Sequence, residues 1–194
     1  MEKDKVERFK AIIIGGSAGS LSVLLEVLPQ LSQDISAAII IVLHRKSTTD
    51  SLLVELFSSK TSVPVSEAAE KELIEPGKIY VAPADYHLLI EQDFSFSFDA
   101  SEKINFSRPS IDVSFESAAE VFRESLVGIL LSGANADGVV GLQAIRSFGG
   151  TTIAQRPDTA EVPYMPEQAI QQVAMDFILS PPEIADFLNG QIRI

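Results

Sequence analysis

The chain has 194 residues, enough for one domain with a core covered on two sides and short for two. It contains no cysteine, which excludes a disulfide framework, a thiolate nucleophile and any cysteine-based metal site. Its formal net charge is −12, from 15 Lys and Arg against 27 Asp and Glu, so a phosphate backbone would be repelled and nucleic acid is not an expected partner.

Residues 1–10 are mostly charged and read as a tail; residues 11–194 read as a single domain. Ala11–Ile14 is a buried strand by its apolar run, too short for a signal-peptide core or a membrane span. The chain is therefore expected to be soluble and cytoplasmic, with no membrane insertion. Leu21–Leu31 carries Leu and Val at helical spacing, and Ala37–Leu43 is a second buried strand. Thr49–Ser59 is a helix capped by Thr48, Thr49 or Asp50. Lys78–Ala82 is strand-like, and His87–Glu91 with Phe94–Phe98 forms a hairpin. Ser110–Ser125 is helical, with Ser110 as N-cap after Pro109. Leu126–Leu131 is a third fully apolar strand, Gly138–Phe148 a helix, and Thr151–Ala154 a fourth strand; Pro166–Val173 and Pro182–Leu188 are the last helices. Apolar strands without alternation, separated by helices, require a parallel sheet with both faces covered. The expected fold is α/β: a doubly wound three-layer α/β/α domain with a mostly parallel sheet and an antiparallel hairpin at one edge.

Open parallel sheets bind ligands at the carboxyl ends of their strands, so the residues just past each strand are the informative ones. Gly15-Gly16-Ser17-Ala18-Gly19 follows the first strand, His44-Arg45-Lys46 the second, Ser132 to Gly138 the third, and Gln155 the fourth. A serine, a histidine and an aspartate thus share one edge. Gly15-x-Ser17-x-Gly19 fits a nucleophile elbow, in which a strand-turn-helix lifts the hydroxyl clear and aims helix N–H groups at the site. Ser17 alone fits a helix cap equally well, and Asp137-Gly138 fits a turn that caps the next helix. The chain's two histidines are His44 and His87; His44 alone fits a structural hydrogen-bonder, but His87 begins a hairpin strand and lacks a strand-end setting, which leaves His44 as the candidate base.

These segments together resemble the chemotaxis protein-glutamate methylesterases with glutamine deamidase activity. The resemblance rests on Ser17 in GGSAGS, His44 in VLHRKS and Asp137 in LSGANADGVVG, in that chain order. It extends through Pro76–Pro83, Asp85–His87, Arg108–Val113 and Met165–Ile170, so it covers nearly the whole chain after residue 10. It implies a Ser-His-Asp hydrolase acting on glutamate γ-methyl esters of chemoreceptor helices, and on glutamine amides, with neither metal nor organic cofactor. Ser17 is then the nucleophile, His44 the general base and Asp137 its orienting partner. N–H groups of Ala18 or Ala134 would hold the oxyanion, and Arg45, Lys46 and Arg108 would meet the acidic receptor. Two departures stand out: Ser20 follows Gly19 where relatives usually carry a glycine, and Ala134-Asn135 replaces a Met-Gly pair. The Cβ of Asn135 is expected to crowd the loop, so that Asn135→Gly maintains or raises activity. With about ten residues ahead of the first strand, no regulatory domain is expected there and turnover is expected to be indifferent to small phosphodonors. The alternatives are a nucleotide-binding Rossmann-like module, with His44-Arg45-Lys46 meeting a 2′-phosphate, and a catalytically weak scaffold that binds receptors.

Overall fold

The computed structural model describes residues 10–45 and 50–190. The predicted tail, Lys46, and the capping candidates Thr48 and Thr49 lie outside these, apart from Lys10. Among the described residues seven strands form one parallel sheet in the order β3-β4-β2-β1-β7-β8-β9. They are β1 (Ala11–Gly16), β2 (Ala38–Leu43), β3 (Val65–Glu67), β4 (Ile79–Val81), β7 (Leu126–Leu130), β8 (Thr151–Gln155) and β9 (Phe177–Leu179). The predicted hairpin is a two-stranded antiparallel sheet of its own, β5 (His87–Ile90) with β6 (Phe96–Asp99). The helices are α1 (Ser20–Val27), α2 (Asp50–Ser58), α3 (Ile111–Phe122), α4 (Val139–Ser147), α5 (Tyr164–Gln172) and α6 (Pro181–Leu188).

The unalternating strands feed two cores at once, because successive side chains of a strand leave opposite faces. Ile12 and Ile14 of β1, with Ile39 and Ile41 of β2, pack under α1, α2 and α6, against Leu24, Phe57 and Ile184. Ile13, Ile40 and Val42 pack on the other face against Phe115 of α3, Leu142 of α4 and Ala169 of α5. The hairpin adds Leu88 and Phe96 to this second core. It is fixed to α3 by Ser114 Oγ donating to the Leu88 carbonyl at 2.7 Å and by the Ile90 N–H donating to Ser117 Oγ at 3.1 Å.

The chain starts at β1, winds outward through β2 and β4, then returns to the other side of β1 as β7. The sheet therefore changes winding direction between β1 and β7, and a crevice opens there at the carboxyl edge. The Ser17 N–H donates across that crevice to the Ser132 carbonyl at 2.9 Å. No helix among the described residues is long and apolar enough to cross a membrane.

Candidate active site

Each chemistry-bearing residue stands one step or one loop past a strand end. Ser17 follows β1, His44 follows β2, and Asp137 ends the loop after β7. His44 and Asp137 meet directly, with Nε2 at 2.6 Å from Oδ2. The helix-cap alternatives do not describe these residues. Gly19, at φ 81°, is the N-cap of α1, and Gly138, at φ 98°, that of α4; neither Ser17 nor Asp137 fills the post. A φ in this region is open to glycine at little cost, which is what lets the chain turn sharply into each helix.

Asp137 reaches away from its own helix to the start of α3. Its Oδ2 accepts from the Ile111 N–H at 2.7 Å; its Oδ1 accepts from the Asp112 N–H at 3.1 Å, Ser110 Oγ at 3.0 Å and Asn105 Nδ2 at 2.9 Å. With His44 that makes five donors on one buried carboxylate. Burial alone would raise its pKa, but the donors outweigh it and hold the group down at about 2. Asp137 is therefore an anion at neutral pH, and it can only accept. His44 Nε2 must carry the proton, which leaves Nδ1 as the nitrogen with a free lone pair.

Asp112 returns the arrangement. From the first turn of α3 its Oδ1 accepts from the N–H groups of Gly138 at 2.9 Å and Gly141 at 2.7 Å, at the start of α4. Each aspartate thus satisfies the open N–H groups of the helix that the other begins. Asn105 joins them, donating from Nδ2 to Asp112 Oδ2 at 2.9 Å as well as to Asp137. Burial, reinforced by the charge of Asp137, pushes Asp112 up to about 6. Sequence reading placed Ser110 only as the N-cap of its helix, gave Asp112 no role and passed over Asn105. The signal available for them was their place in the Arg108–Val113 segment that carries the family resemblance.

His87 has a different assignment. Its Nδ1 accepts from the Ser110 N–H at 3.1 Å, so Nε2 carries the hydrogen, 2.9 Å from the Glu102 carbonyl. Both nitrogens of this buried ring are used to hold the entry to α3.

Ser17 and His44 line one cavity of about 280 Å³, whose remaining wall includes Leu21 of α1 and Leu52, Leu53 and Leu56 of α2. No hydrogen bond joins the Ser17 hydroxyl to His44 among the described residues; such contacts commonly tighten only when substrate is bound. A larger hollow of about 360 Å³ opens at the amino-terminal edge of the sheet among Lys10, Ile74, Phe94 and Phe122, and holds none of these groups.

Around Ser17 most backbone N–H groups are engaged. The Ser17 N–H is held by Ser132, that of Ser132 by Gln155 Oε1 at 2.9 Å, and that of Gly133 by the Val162 carbonyl at 3.0 Å. Those of Ala18 and Ala134 meet no acceptor among the described residues, and both residues are exposed. Gly133 must be small: a Cβ there would lie 2.4 Å from Met165 Cε and 3.1 Å from Ser17 Cβ.

Three of these residues have local partners. Asn135 Oδ1 accepts from the Asp137 N–H at 3.1 Å and so shapes the approach to that aspartate. Asn135→Gly is now expected to lower kcat/KM about fivefold, the worth of one hydrogen bond of ~1 kcal/mol, in a steady-state ester assay. Arg45 is not a surface cation. Its side chain is 8% exposed, donates to the Ala82 carbonyl at 2.7 Å and pairs with Glu67 at 3.5 Å. Arg108 spends Nη1 on the carbonyls of Ala100 at 2.9 Å and Ser101 at 2.7 Å, bracing the loop after β6.

The family model for CheB methylesterase matches residues 12–188. A Leptospira interrogans protein provisionally named a protein-glutamate methylesterase/protein-glutamine glutaminase is 44% identical over 178 residues, covering 92% of both chains. A Thermotoga maritima protein-glutamate methylesterase/protein-glutamine glutaminase is 31% identical over 182 residues, which are 92% of this chain and 53% of that one. The crystal structure of the Thermotoga maritima CheB methylesterase catalytic domain superposes with a TM-score of 0.90 at 30% identity, over 95% of this chain and 99% of that one.

Proposed function

This chain belongs to the CheB methylesterase family, and from that premise we propose that it hydrolyses glutamate γ-methyl esters, and glutamine amides, on helical chemoreceptors in the cytoplasm. The observation that carries the reading is the 2.6 Å contact of His44 with an ionised, five-donor Asp137 beside the cavity shared with Ser17. It is supported by the fold likeness and by the open N–H groups of Ala18 and Ala134. Arg45, needed by the nucleotide-binding alternative to meet a 2′-phosphate, is turned inward to Ala82 and Glu67.

In this mechanism Ser17 Oγ attacks the ester carbonyl while His44 Nδ1 takes its proton. Asp137 stabilises the imidazolium through Nε2–H, and the N–H groups of Ala18 and Ala134 receive the oxyanion. Collapse of the tetrahedral intermediate breaks the bond to methoxide, which leaves as methanol with the proton from His44. Nδ1 then draws a proton from water, hydroxide adds to the acyl-serine, and glutamate departs as Ser17 recovers its proton. Every step is served by the chain's own residues.

A fluorophosphonate tests the reading directly. Intact mass spectrometry is expected to show one adduct per chain, mapped to Ser17, in parallel with loss of methanol release from a methylated receptor. A chain that releases methanol while Ser17 stays unlabelled would remove Ser17 from the mechanism.

A further inference from the structure

The two aspartates that exchange helix caps meet at one side chain. Asn105 Nδ2 lies 2.9 Å from Asp112 Oδ2 and 2.9 Å from Asp137 Oδ1, so it gives one hydrogen to each. Between two acceptor oxygens the amide must present its NH₂ group and not its carbonyl. Among the described residues no other side chain bonds both carboxylates. Asp137 is 1% and Asp112 7% exposed, whereas Asn105 stands at the surface, so its amide reaches inward to a buried pair of acids.

The backbone explains an asparagine here only in part. Ile104 and Ser107 close a two-residue turn, each N–H on the other's carbonyl, and Asn105 takes φ 51° at its first central place. Asparagine, aspartate and glycine all serve at such a place. Aspartate would set a third carboxyl against two, and glycine would offer no side-chain donor. Asparagine meets both the turn and the pair. Two buried carboxylates within reach of one nitrogen repel, and with no donor between them they relieve the repulsion by sharing a proton. The charge of Asp137 raises Asp112, while the bond from Asn105 lowers both. Glu116, further along α3, also feels the charge of Asp137, and His44 faces it at Oδ2. His87 of β5 bonds the Ser110 N–H and the Glu102 carbonyl, and Arg108 the carbonyls of Ala100 and Ser101; neither bonds the pair.

We propose that Asn105 is a positioning residue of the reaction: its amide prevents Asp112 and Asp137 from sharing a proton, so that Asp137 stays an anion with Oδ2 turned to His44. This rests on the reading of Ser17, His44 and Asp137 given above. Without the bridge, a proton held between the two acids neutralises the charge that stabilises the His44 imidazolium. Turnover is lost wherever that proton is bound. Removing a donor from the charged form strengthens the hold on the proton, so the loss begins at a higher pH than in the natural enzyme.

The test follows kcat and kcat/KM for p-nitrophenyl acetate from about pH 5 to 8. Asn105→Gly removes the amide and suits the turn, since glycine takes a positive φ at little cost. It is expected to move the acid limb up by about one pH unit, the worth of a hydrogen bond to a charged group. On the acid side kcat then falls about tenfold at a given pH while KM holds. Adding Asp112→Asn removes the second carboxylate, and the limb is expected to return to its natural position. A role confined to the turn would lower the rate alike at every pH, leave the limb in place and gain nothing from Asp112→Asn; that result overturns the proposal. Thermal melting checks that each variant is folded. If Asn105→Gly is not, Asn105→Asp takes its place, with the turn kept and a third carboxyl where the donor stood. Its limb is expected to rise at least as far, and an unmoved limb overturns the proposal. Activity that persists in Ser17→Ala removes the reading of the site, and the positioning role falls with it. Ser17-dependent activity with an unmoved limb in the Asn105 variants overturns the positioning role alone and leaves the triad standing.

Discussion

Asp137→Asn is expected to lower turnover by about four orders of magnitude while the chain stays folded. The reason is the crowding of donors on the two oxygens. Oδ1 faces three donors, from Asn105, Ser110 and Asp112, and Oδ2 faces His44 and Ile111. An asparagine keeps its carbonyl on the side of three donors, so its NH₂ group turns to His44. Nε2 then becomes the acceptor, the proton moves to Nδ1, and the nitrogen that should take the proton of Ser17 no longer has a lone pair. Ser17→Ala is the companion variant, because the Ser17 hydroxyl makes no hydrogen bond among the described residues. It should lose turnover by roughly three orders of magnitude or more with an unchanged denaturation midpoint, whereas Asp137→Asn should also lose stability through the unmatched Ile111 N–H. Near-native turnover in Asp137→Asn would mean that His44 is not oriented through this contact.

The parts of the molecule that were legible in sequence are the long apolar runs and the short polar segments at their carboxyl ends. β1, β2 and β7 each bury five or six consecutive residues drawn almost wholly from Ile, Leu, Val, Ala and Gly, so composition alone marks them. Ser17, His44 and Asp137 were findable because a parallel sheet delivers its strand ends to one edge. The edge strands β3 and β9 were not: each has three residues, too few for a period, and exists because a neighbouring strand offers its open edge. Helix ends were also misjudged, since Leu28–Gln30 and Arg123–Ser125 tighten into 3₁₀ turns rather than continue α1 and α3. The support around Asp137 was invisible for a different reason. Asn105, Ser110 and Asp112 lie 25 to 32 residues from Asp137 in the chain, and only the packing of α3 beside α4 brings them to it. In sequence, an aspartate in the first turn of a helix is explained by its own helix, and nothing marks that it serves the next one.

That exchange of caps makes Asp112 the residue with the largest expected effect on stability. Asp112→Ala leaves the buried N–H groups of Gly138 and Gly141 without an acceptor, and Asn105 with one partner instead of two. Each orphaned donor costs about 1–3 kcal/mol, so a loss of about 2–6 kcal/mol is expected by urea denaturation. Asp112→Asn behaves differently, because its Oδ1 still accepts both glycine N–H groups while the charge next to Asp137 and the bond from Asn105 are lost. The pH dependence separates the two aspartates. Asp112 has a folded-state pKa of about 6, above its ordinary 3.8, so the folded protein holds that proton more tightly. Stability from this group is therefore present in acid and lost as pH rises from about 4 through 6. Asp137, depressed to about 2, acts in the opposite sense: its contribution is present above about pH 4 and lost as pH falls through 2. Asp112→Asn should remove the first loss and keep the second. Its stability curve should therefore gain on that of the natural protein between pH 4 and 6 and run parallel below pH 4. Parallel curves across the whole range would show that Asp112 keeps its ordinary pKa in the folded chain.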